Sequence, residues 1–518
     1  MNGAHALLST LVANDVTTCF ANPGTSEMHF VAGLDEVPEM RGILCLFEGV
    51  ATGAADGYAR VSARPAATLL HLGPGLANGW ANLHNARRAR VPLVNIVGDH
   101  ATYHATFDAP LQSDIAPMAS SLKGWQRSTQ HSNDVANDTA DAISAAWGPP
   151  GQVATLILPA DVSWSEVTGE PTPWPTATRS APVSPDEATL AHALAGLRKP
   201  RAALFVGGSA LNAEQLALAH RIAQSSGARL LMETFPAIMD RGAGVVHPER
   251  LLYLSEFAIA QLQDIDTLIL IGSSEPVGFF AYPSVESRLV SKGCQVINLA
   301  PPGVDTRSAL ETLVEGLSAP RIPAASGDKP EAPYGELTTQ NLATAVASTI
   351  PEDLIVSDES NTGGLHLYGV SQFSPPHRLM ALTGGSIGFG LPAALGAAVA
   401  SGQRVLALEA DGSMMYTLQA LWTMARESLD VTVVALSNRS YAILNLERQR
   451  VGASGDGATS QRMLELDHPA LDLCALASAQ GVPSTRVTTA QDLVSALQRS
   501  YATPGPMFIE AVLPKGLS

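Results

Sequence analysis

The chain has 518 residues, which is too long for one hydrophobic core and predicts about two to four domains. Its formal net charge of -17 at pH 7 disfavours nucleic acid or an anionic membrane surface as a partner. A composition of 46% hydrophobic and 15% charged residues is typical of a tightly packed α/β enzyme with much of its surface buried in an oligomer.

The amino terminus and the cysteines indicate the compartment. The first residues, MNGAHALLSTLVANDV, lack the basic region and long apolar run of a signal peptide, so we expect a cytoplasmic protein. Cys19, Cys45, Cys294 and Cys474 lie far apart without metal-ligand spacing, so we expect free thiols and neither disulfide bonds nor a zinc site.

Three domains are predicted. Residues 169–187 and 318–336 are rich in Pro, Ala and Ser, which is typical of surface linkers. They divide the chain into predicted domains over residues 1–168, 188–317 and 337–518.

Each domain alternates apolar runs with helical periodicity, which predicts three doubly wound α/β layers, each a parallel sheet with helices on both faces. Helices are predicted over residues 49–63, 75–89 and 417–428. The predicted strands are residues 41–48, 66–75, 92–99, 153–161, then 202–208, 228–234, 266–274, 294–300, and finally 354–359, 404–412, 431–438 and 506–513.

Residues 379–403 carry no formal charge and are long enough to be considered as a membrane span. The glycines and the proline of TGGSIGFGLPAALGAA favour a loop followed by a buried, closely packed helix. We therefore expect no membrane segment.

Asp411 and Asn438 each follow a predicted buried strand, with one predicted helix between the two strands. Carboxyl ends of parallel strands meet at one edge of a sheet, so both side chains are expected in the same crevice. Their oxygens suit Mg²⁺ that also holds phosphate, and a helix beginning near Ser413 would direct its N–H groups there. On its own, a D-G-S sequence at the end of a strand is more often an ordinary turn.

Other metal and nucleotide motifs are missing from the sequence. The alternating acidic positions of an EF-hand are absent, as are a Walker A motif and a G-x-G-x-x-G fingerprint. The usual nucleotide-binding interpretations are therefore disfavoured.

The DGS turn followed by SNRSYAIL resembles the thiamine diphosphate motif of the decarboxylase and acetohydroxyacid synthase superfamily. Five further stretches resemble landmarks of that family in the same order: NPGTSE at 22–27, FEGVATGAADGYAR at 47–60, GPGLANGWANL at 73–83, DESNTG at 358–363 and GGSIGFGLPAALGAA at 384–398. The resemblance covers essentially the whole chain and implies a pyrimidine-binding, a central and a diphosphate-binding domain.

By this resemblance the cofactors are thiamine diphosphate and Mg²⁺. Asp411, Asn438 and the Ser440 carbonyl are expected to bind Mg²⁺. The remaining residues expected to contact the cofactor are Pro23, Gly24, Glu48, Asn78, Asn361, Thr362, Gly385, Ser386, Ile387, Gly412, Ser413, Tyr441 and Ala442.

Two of these residues have roles that the resemblance specifies further. The Glu48 carboxyl group is expected to bond a pyrimidine nitrogen of the cofactor, and Ile387 is expected to be the wedge that folds the cofactor, with the Gly385 carbonyl accepting from its amino group. Without the other motifs, Glu48 would be interpreted as a surface or capping glutamate at a helix start and Ile387 as an ordinary core residue in a loop. In this family Glu48 and the metal motif come from different subunits, which implies a homodimer or a homotetramer.

The candidate substrate residues are Thr25, His71 and Gln112 in the first domain and Ile443 and Leu444 in the last. His71 resembles the proton-handling histidine of benzoylformate decarboxylase, and Gln112 resembles a residue of the acetohydroxyacid synthases. A satisfied core histidine is the alternative for His71.

The sequence also departs from the family pattern. Ala410 replaces the usual glycine before Asp411, and residues 272–283 lack the second histidine of the benzoylformate enzyme. The flavin signature of the synthases is missing from the middle domain, so we expect no FAD.

The resemblance implies an acetolactate synthase-like carboligase acting on a small 2-oxo acid. The alternative is a nonoxidative 2-oxo acid decarboxylase of the benzoylformate type. A catalytically idle relative and, from the fold alone, a flavin or nicotinamide oxidoreductase are further alternatives.

Overall fold

A computed structural model describes residues 1–169, 173–453, 455 and 457–516. Residues 170–172 of the first predicted linker and residues 454, 456, 517 and 518 of the last predicted domain lie outside the described residues. The expected fold class is confirmed: the chain forms three mainly parallel sheets covered by helices.

The first sheet contains strands β1 (Thr18–Asn22), β2 (Arg41–Leu44), β3 (Ala66–Leu70), β4 (Leu93–Asp99), β5 (Gln126–Ser128) and β6 (Val153–Pro159). Their order is β2-β1-β3-β4-β6-β5, and every pair is parallel. The associated helices are α1 (Gly3–Ala13), α2 (Met28–Gly33), α3 (Glu48–Ser62), α4 (Leu72–Ala89), α5 (Ile115–Ser120), α6 (Val135–Trp147) and α7 (Ala160–Trp164).

The first sheet differs from the prediction at several places, and the strand predicted over residues 41–48 ends at Leu44. Strand β3 ends at Leu70 and α4 begins at Leu72, so the GPG sequence lies in the first turn of a helix and not at the end of a strand. Strand β1 was not predicted, because a five-residue run with polar ends, TCFAN, gives little periodicity to detect.

The second sheet contains β7 (Ala202–Val206), β8 (Arg229–Met232), β10 (Glu249–Arg250), β11 (Thr267–Ile271) and β12 (Gln295–Ala300). Its order is β10-β8-β7-β11-β12, with parallel pairs throughout. Helices α8 (Glu187–Leu197), α9 (Ala213–Ser226), α10 (Ser255–Leu262) and α11 (Thr306–Gly316) accompany it.

The third sheet contains β13 (Ile355–Glu359), β14 (His377–Ala381), β15 (Val405–Ala410), β16 (Val431–Ser437), β17 (Ser484–Val487) and β18 (Met507–Val512). A short strand from the middle of the chain, β9 (Met239–Arg241), adds antiparallel to β14 and completes the order β17-β18-β16-β15-β13-β14-β9. The helices are α12 (Thr339–Thr349), α13 (Leu367–Val370), α14 (Gly390–Ser401), α15 (Asp411–Met414), α16 (Ala420–Arg426), α17 (Ala442–Arg450), α18 (Ala458–Arg462), α19 (Leu473–Ala479) and α20 (Ala490–Ala502).

Strand β9 lies within residues 188–317 but belongs to the sheet of residues 337–518. The middle of the chain is therefore tied to the last sheet by backbone hydrogen bonds. The domain boundaries themselves stay a prediction.

Helices α3 and α14 join the first and third sheets within one chain. A Cβ atom on Gly57 would lie 2.1 Å from the Ala393 carbonyl oxygen, and one on Gly396 would lie 1.8 Å from the Ala54 carbonyl oxygen. Only glycine permits this approach, and the apolar core beneath it is continuous between the two sheets.

The uncharged stretch 379–403 forms the end of β14, a loop and the 12-residue helix α14, as the glycine content indicated. Within the described ranges, no helix is long and apolar enough to cross a membrane. All four cysteines are free, as expected.

Candidate active site

The carboxyl ends of the neighbouring strands β15 and β16 carry Asp411 and Asn438. Asp411 is 3% exposed. Its Oδ1 accepts a hydrogen bond from the Gly412 amide at 2.8 Å, and its Oδ2 accepts one from the Arg439 amide at 2.6 Å. Asn438 Oδ1 accepts from the Ser440 amide at 3.1 Å. The structure thus brings together the two turns that the sequence placed at one edge.

Burial raises the pKa of Asp411 to about 6, against the lowering effect of the Arg439 and Gly412 amides. A cation at this carboxylate would compensate for the lost hydration of the charged form. The electrostatics of the turn therefore suit a metal ligand.

A cleft of about 290 Å³ opens beside Asp411. The Asn361 amide Nδ2 donates to Ser413 Oγ across it, at 2.9 Å. Its lining includes ten further residues predicted for the site: Thr362, Ile387, Gly412, Ser413, Asn438, Ser440, Tyr441, Ala442, Ile443 and Leu444.

The residues present fit a magnesium diphosphate group. The donors are hard oxygens of Asp411, Asn438 and Ser440, which are the ligands that Mg²⁺ prefers. A Cβ on Gly412 would lie 2.4 Å from the Tyr441 ring, so only glycine leaves this turn open beneath the tyrosine. The expected helix near Ser413 is the four-residue α15, and the chain becomes helical again only at Ala420.

Residues 384–388, here called the wedge loop because they carry Ile387, are bonded to helix α4 of the same chain. Asn82 Nδ2 donates to the Gly388 carbonyl at 3.0 Å, and His84 Nε2 lies 3.1 Å from the Gly384 carbonyl. Asn85 Nδ2 donates to the Ser386 carbonyl at 2.8 Å, while its Oδ1 accepts from the Ser386 amide at 3.1 Å. The three α4 side chains, which the sequence interpretation missed, therefore fix the loop conformation.

Glu359 holds the other end of the wedge loop. Its buried carboxylate accepts hydrogen bonds from three successive amides at the start of α14, those of Gly388, Phe389 and Gly390. Glu409 stands opposite on the adjacent strand β15. Both Glu409 oxygens lack a hydrogen-bond partner among the described residues.

The Gly385 backbone is in the left-handed region, with φ of 77°. A Cβ there would lie 2.4 Å from the Phe279 ring. Within the described part of the chain nothing donates a hydrogen bond to the Gly385 carbonyl. The carbonyl is therefore available as an acceptor beside the half-buried Ile387.

Glu48 begins helix α3 at the carboxyl edge of the first sheet and is 7% exposed. Its Oε2 accepts a hydrogen bond from Asn78 Nδ2 at 3.0 Å. Gly75, in the first turn of α4, lies against both Glu48 and His71, so the two side chains border one space.

His71 is the N-cap residue of α4, and its Nδ1 lies 2.8 Å from Glu27 Oε2. Glu27 was not predicted as a site residue, although it ends the NPGTSE motif. The ring of His71 lies against Gly24, where a Cβ would come within 2.4 Å.

The other first-domain candidates lie nearby. Thr25 is exposed at the start of a single 3₁₀ turn that ends at Glu27, and Pro23 precedes it, half-buried. Gln112 donates to the Ser113 carbonyl, and Ser113 packs against Gly73 of α4.

The predicted site residues therefore form two groups, one at the edge of the first sheet and one at the edge of the third. Among the described residues, the lining of the cleft beside Asp411 comes only from positions 360–513. Glu48, His71 and Gln112 do not line this cleft within one chain.

Known proteins resemble the chain along its whole length. Residues 1–122 match the family described as thiamine pyrophosphate enzyme, N-terminal TPP binding domain, and residues 360–511 match its C-terminal TPP binding domain. A Mycobacterium tuberculosis (strain H37Rv) protein named "Putative acetolactate synthase large subunit IlvX" is 51% identical over 517 residues, which cover 99% of both chains. Benzoylformate decarboxylase of Pseudomonas aeruginosa is 28% identical over 521 residues, with 96% of both chains covered.

A solved structure has the same fold. Thiamine diphosphate-dependent 4-hydroxybenzoylformate decarboxylase of Rhodococcus jostii RHA1 superposes with a TM-score of 0.85 over 100% of both chains at 24% identity. The chain belongs to the thiamine pyrophosphate enzyme family, as an acetolactate synthase-like member.

Proposed function

We propose that this enzyme uses thiamine diphosphate and Mg²⁺ to decarboxylate a small 2-oxo acid and to ligate the product to a second carbonyl compound, as an acetolactate synthase does. The observation that carries the proposal is the hydrogen-bonded pair of turns at Asp411 and Asn438, which presents oxygen ligands beside a diphosphate-sized cleft. The 51% identical relative supports the synthase type of reaction.

The chain's own residues would divide the work. Asp411, Asn438 and Ser440 would hold the metal, while Asn361, Thr362, Gly412 and Ser413 would hold the diphosphate. When bound, thiamine diphosphate would supply the carbon nucleophile and the electron sink that decarboxylation of a 2-oxo acid needs.

Residues at the edge of the first sheet and in the wedge loop would position the cofactor and the substrate. Glu48, oriented by Asn78, would hold a proton at the pyrimidine ring, and the Gly385 carbonyl would orient the amino group of that ring. Ile387 would fix the angle between the two rings. His71 would exchange protons with the substrate, and Thr25, Gln112, Ile443 and Leu444 would shape its pocket.

We infer that each active site forms between two chains of a homodimer or homotetramer. Glu48 and the cleft at Asp411 belong to different sheets, and the described lining of that cleft contains nothing from the first sheet. A symmetric pair of chains would face each cleft with the Glu48 edge of its partner.

A nonoxidative decarboxylase of the benzoylformate type is the second candidate. The Glu27–His71 pair favours it, since a positioned histidine suits protonation of a decarboxylated product. The segment 272–283 argues against benzoylformate itself, because Phe279 and Phe280 stand there half exposed and no histidine is present.

One incubation separates the two candidates. The purified protein with thiamine diphosphate, Mg²⁺ and pyruvate should yield acetolactate if it is a synthase, or acetaldehyde if it is a decarboxylase. Absence of CO₂ from a panel of aliphatic and aromatic 2-oxo acids would overturn both. Calorimetry without detectable thiamine diphosphate binding would instead indicate a catalytically idle relative.

We also propose that the enzyme is cytoplasmic and holds no FAD. The absorbance spectrum of the purified protein tests the second point, since bound flavin absorbs in the visible range.

A further inference from the structure

Glu27 and His71 form a closely fixed pair beside Glu48. Glu27 is 3% exposed, and its carboxylate is held between the ring of His71 and the backbone of Gly24. The His71 side chain is 24% exposed and that of Glu27 is 2% exposed, so the pair lies at the boundary between the core and open space.

The hydrogen bonds of Glu27 indicate which ring nitrogen of His71 carries the proton. Glu27 Oε2 accepts the Gly24 amide proton at 2.7 Å and lies 2.8 Å from His71 Nδ1. Because Glu27 Oε2 accepts the Gly24 N–H, we take it to accept from His71 as well. The proton of the neutral His71 ring then lies on Nδ1. In neutral imidazole the other nitrogen, Nε2, then has the free lone pair.

The second ring nitrogen of His71, Nε2, is free to exchange a proton with another group. Across the described ranges, the ring of His71 has no hydrogen-bond partner except Glu27. His71 is the N-cap residue of α4, and a Cβ on Gly75 would lie 3.0 Å from Glu48 Oε1 and 3.5 Å from His71 Cβ, so the two side chains flank the same turn of this helix.

Two glycines on different elements make room for the pair. A Cβ on Gly24 would lie 2.4 Å from the His71 ring, and one on Gly98, at the end of β4, would lie 1.7 Å from Glu27 Oε1. Neither position tolerates a side chain while the pair is in place, so the surrounding sheet fixes both partners.

We propose that Glu27 is a positioning residue that locks His71 in the Nδ1–H tautomer, so that Nε2 exchanges protons with the bound substrate. This inference rests on the proposed function. Nε2 takes a proton from water and delivers it to the product carbon, while the Nδ1 proton stays in the bond to Glu27; no oxidant or reductant is needed.

A double-mutant cycle tests whether Glu27 acts through His71. Glu27→Gln keeps an oxygen for both donors and removes the charge, so we expect kcat to fall about 10–100-fold with little change in KM. In a His71→Ala background the same substitution should have no further effect. If the double variant instead lowers kcat by the product of the two separate effects, Glu27 acts independently of His71 and the proposal is overturned.

The tautomer itself gives a readout that needs neither cofactor nor turnover. In ¹⁵N-histidine spectra at pH 8, the His71 resonances, identified by their loss in His71→Ala, should show Nδ1 protonated in the parent. Glu27→Ala should give a mixture of tautomers. An Nε2–H tautomer in the parent would overturn the inference even if the enzyme releases CO₂, whereas a correct tautomer in a protein without activity would count against the proposed function alone.

Two further variants guard against misfolding. Gly98→Ala should displace Glu27 without changing its charge and should lower kcat as Glu27→Ala does; unchanged turnover in a folded Gly98→Ala protein would contradict the proposal. Glu510→Gln, on β18, removes another buried carboxylate, one paired with Arg486 of β17, and should leave kcat within about twofold.

Discussion

Glu48 has one side-chain hydrogen-bond donor among the described residues, the Asn78 amide. Glu48→Gln keeps that acceptor and removes the ionisable proton. We expect thiamine diphosphate to bind within about threefold of the parent affinity, while hydrogen exchange at its C2 carbon slows about 10²–10⁴-fold. Acid-quench NMR measures this exchange. Glu39→Gln, at an exposed position in the same domain, is the control, and parental exchange in Glu48→Gln would disprove the assigned role.

Asp411 connects two turns through the Gly412 and Arg439 amides. Asp411→Ala removes the proposed metal ligand and leaves both amides without their acceptor. We expect Mg²⁺-dependent cofactor affinity to weaken about 100-fold or more. Calorimetry with and without Mg²⁺ checks this, with the exposed Asp264→Ala as control. If Asp411→Ala binds both partners as tightly as the parent, the metal assignment is wrong.

The wedge loop is an element whose shape depends on a single glycine. Gly385 combines a φ of 77° with contact to Phe279, whereas Gly402 has a φ of 62° and open space. Gly402→Ala therefore isolates backbone strain, which costs about 1–2 kcal/mol. Gly385→Ala adds the displacement of Phe279 and should lower the free energy of unfolding further.

Gly385→Ala should also weaken cofactor binding, because it shifts the carbonyl proposed to orient the pyrimidine ring. Denaturant unfolding and cofactor titration of both alanine variants give the comparison. Equal stability and equal cofactor affinity for the two variants would show that the Phe279 contact has no role.

The adjacent strands β13 and β15 carry a buried pair of carboxyl groups, Glu359 and Glu409. Burial raises the pKa of Glu409 well above its ordinary value, with the Glu359 charge adding to the effect, and burial raises the pKa of Glu359 to about 7. The folded chain thus keeps protons that the unfolded chain releases near pH 4.5. The free energy of unfolding should therefore fall as the pH rises from about 4.5 to about 7.

Glu409→Gln removes one of the two ionisations. At pH 8 we expect the variant to be more stable than the parent by about 1–3 kcal/mol, and the difference should shrink toward pH 5. Thermal unfolding followed from pH 5 to 8 tests this. If the stability of Glu409→Gln falls with pH as steeply as that of the parent, another group is responsible for the pH dependence.

At the scale of the whole molecule, the proposed shared site makes a prediction about mixtures. In a Glu48→Gln chain paired with an Asp411→Ala chain, one site receives both substitutions and the other receives neither. Unfolding and refolding equal amounts of the two inactive variants together should recover about a quarter of the parental activity. Separately refolded variants are the control. No recovery in verified mixed oligomers would place each site within one chain.

The sequence by itself determined the local features of this protein. Alternating apolar runs give parallel sheets, and two strand ends one crossover apart necessarily meet at one edge, so Asp411 and Asn438 could be placed together without a structure. The resemblance added the family and its cofactor. Both conclusions depend on residues close in sequence or on motifs of fixed spacing.

Only the tertiary structure decided which distant side chains meet. Glu27 lies 44 residues from His71, and Asn85 lies 301 residues from the wedge loop residue that it bonds. Strand β9 likewise leaves the middle of the chain to extend the last sheet. No periodicity encodes these contacts, because each pair meets only after separate strands and helices have packed into the complete fold.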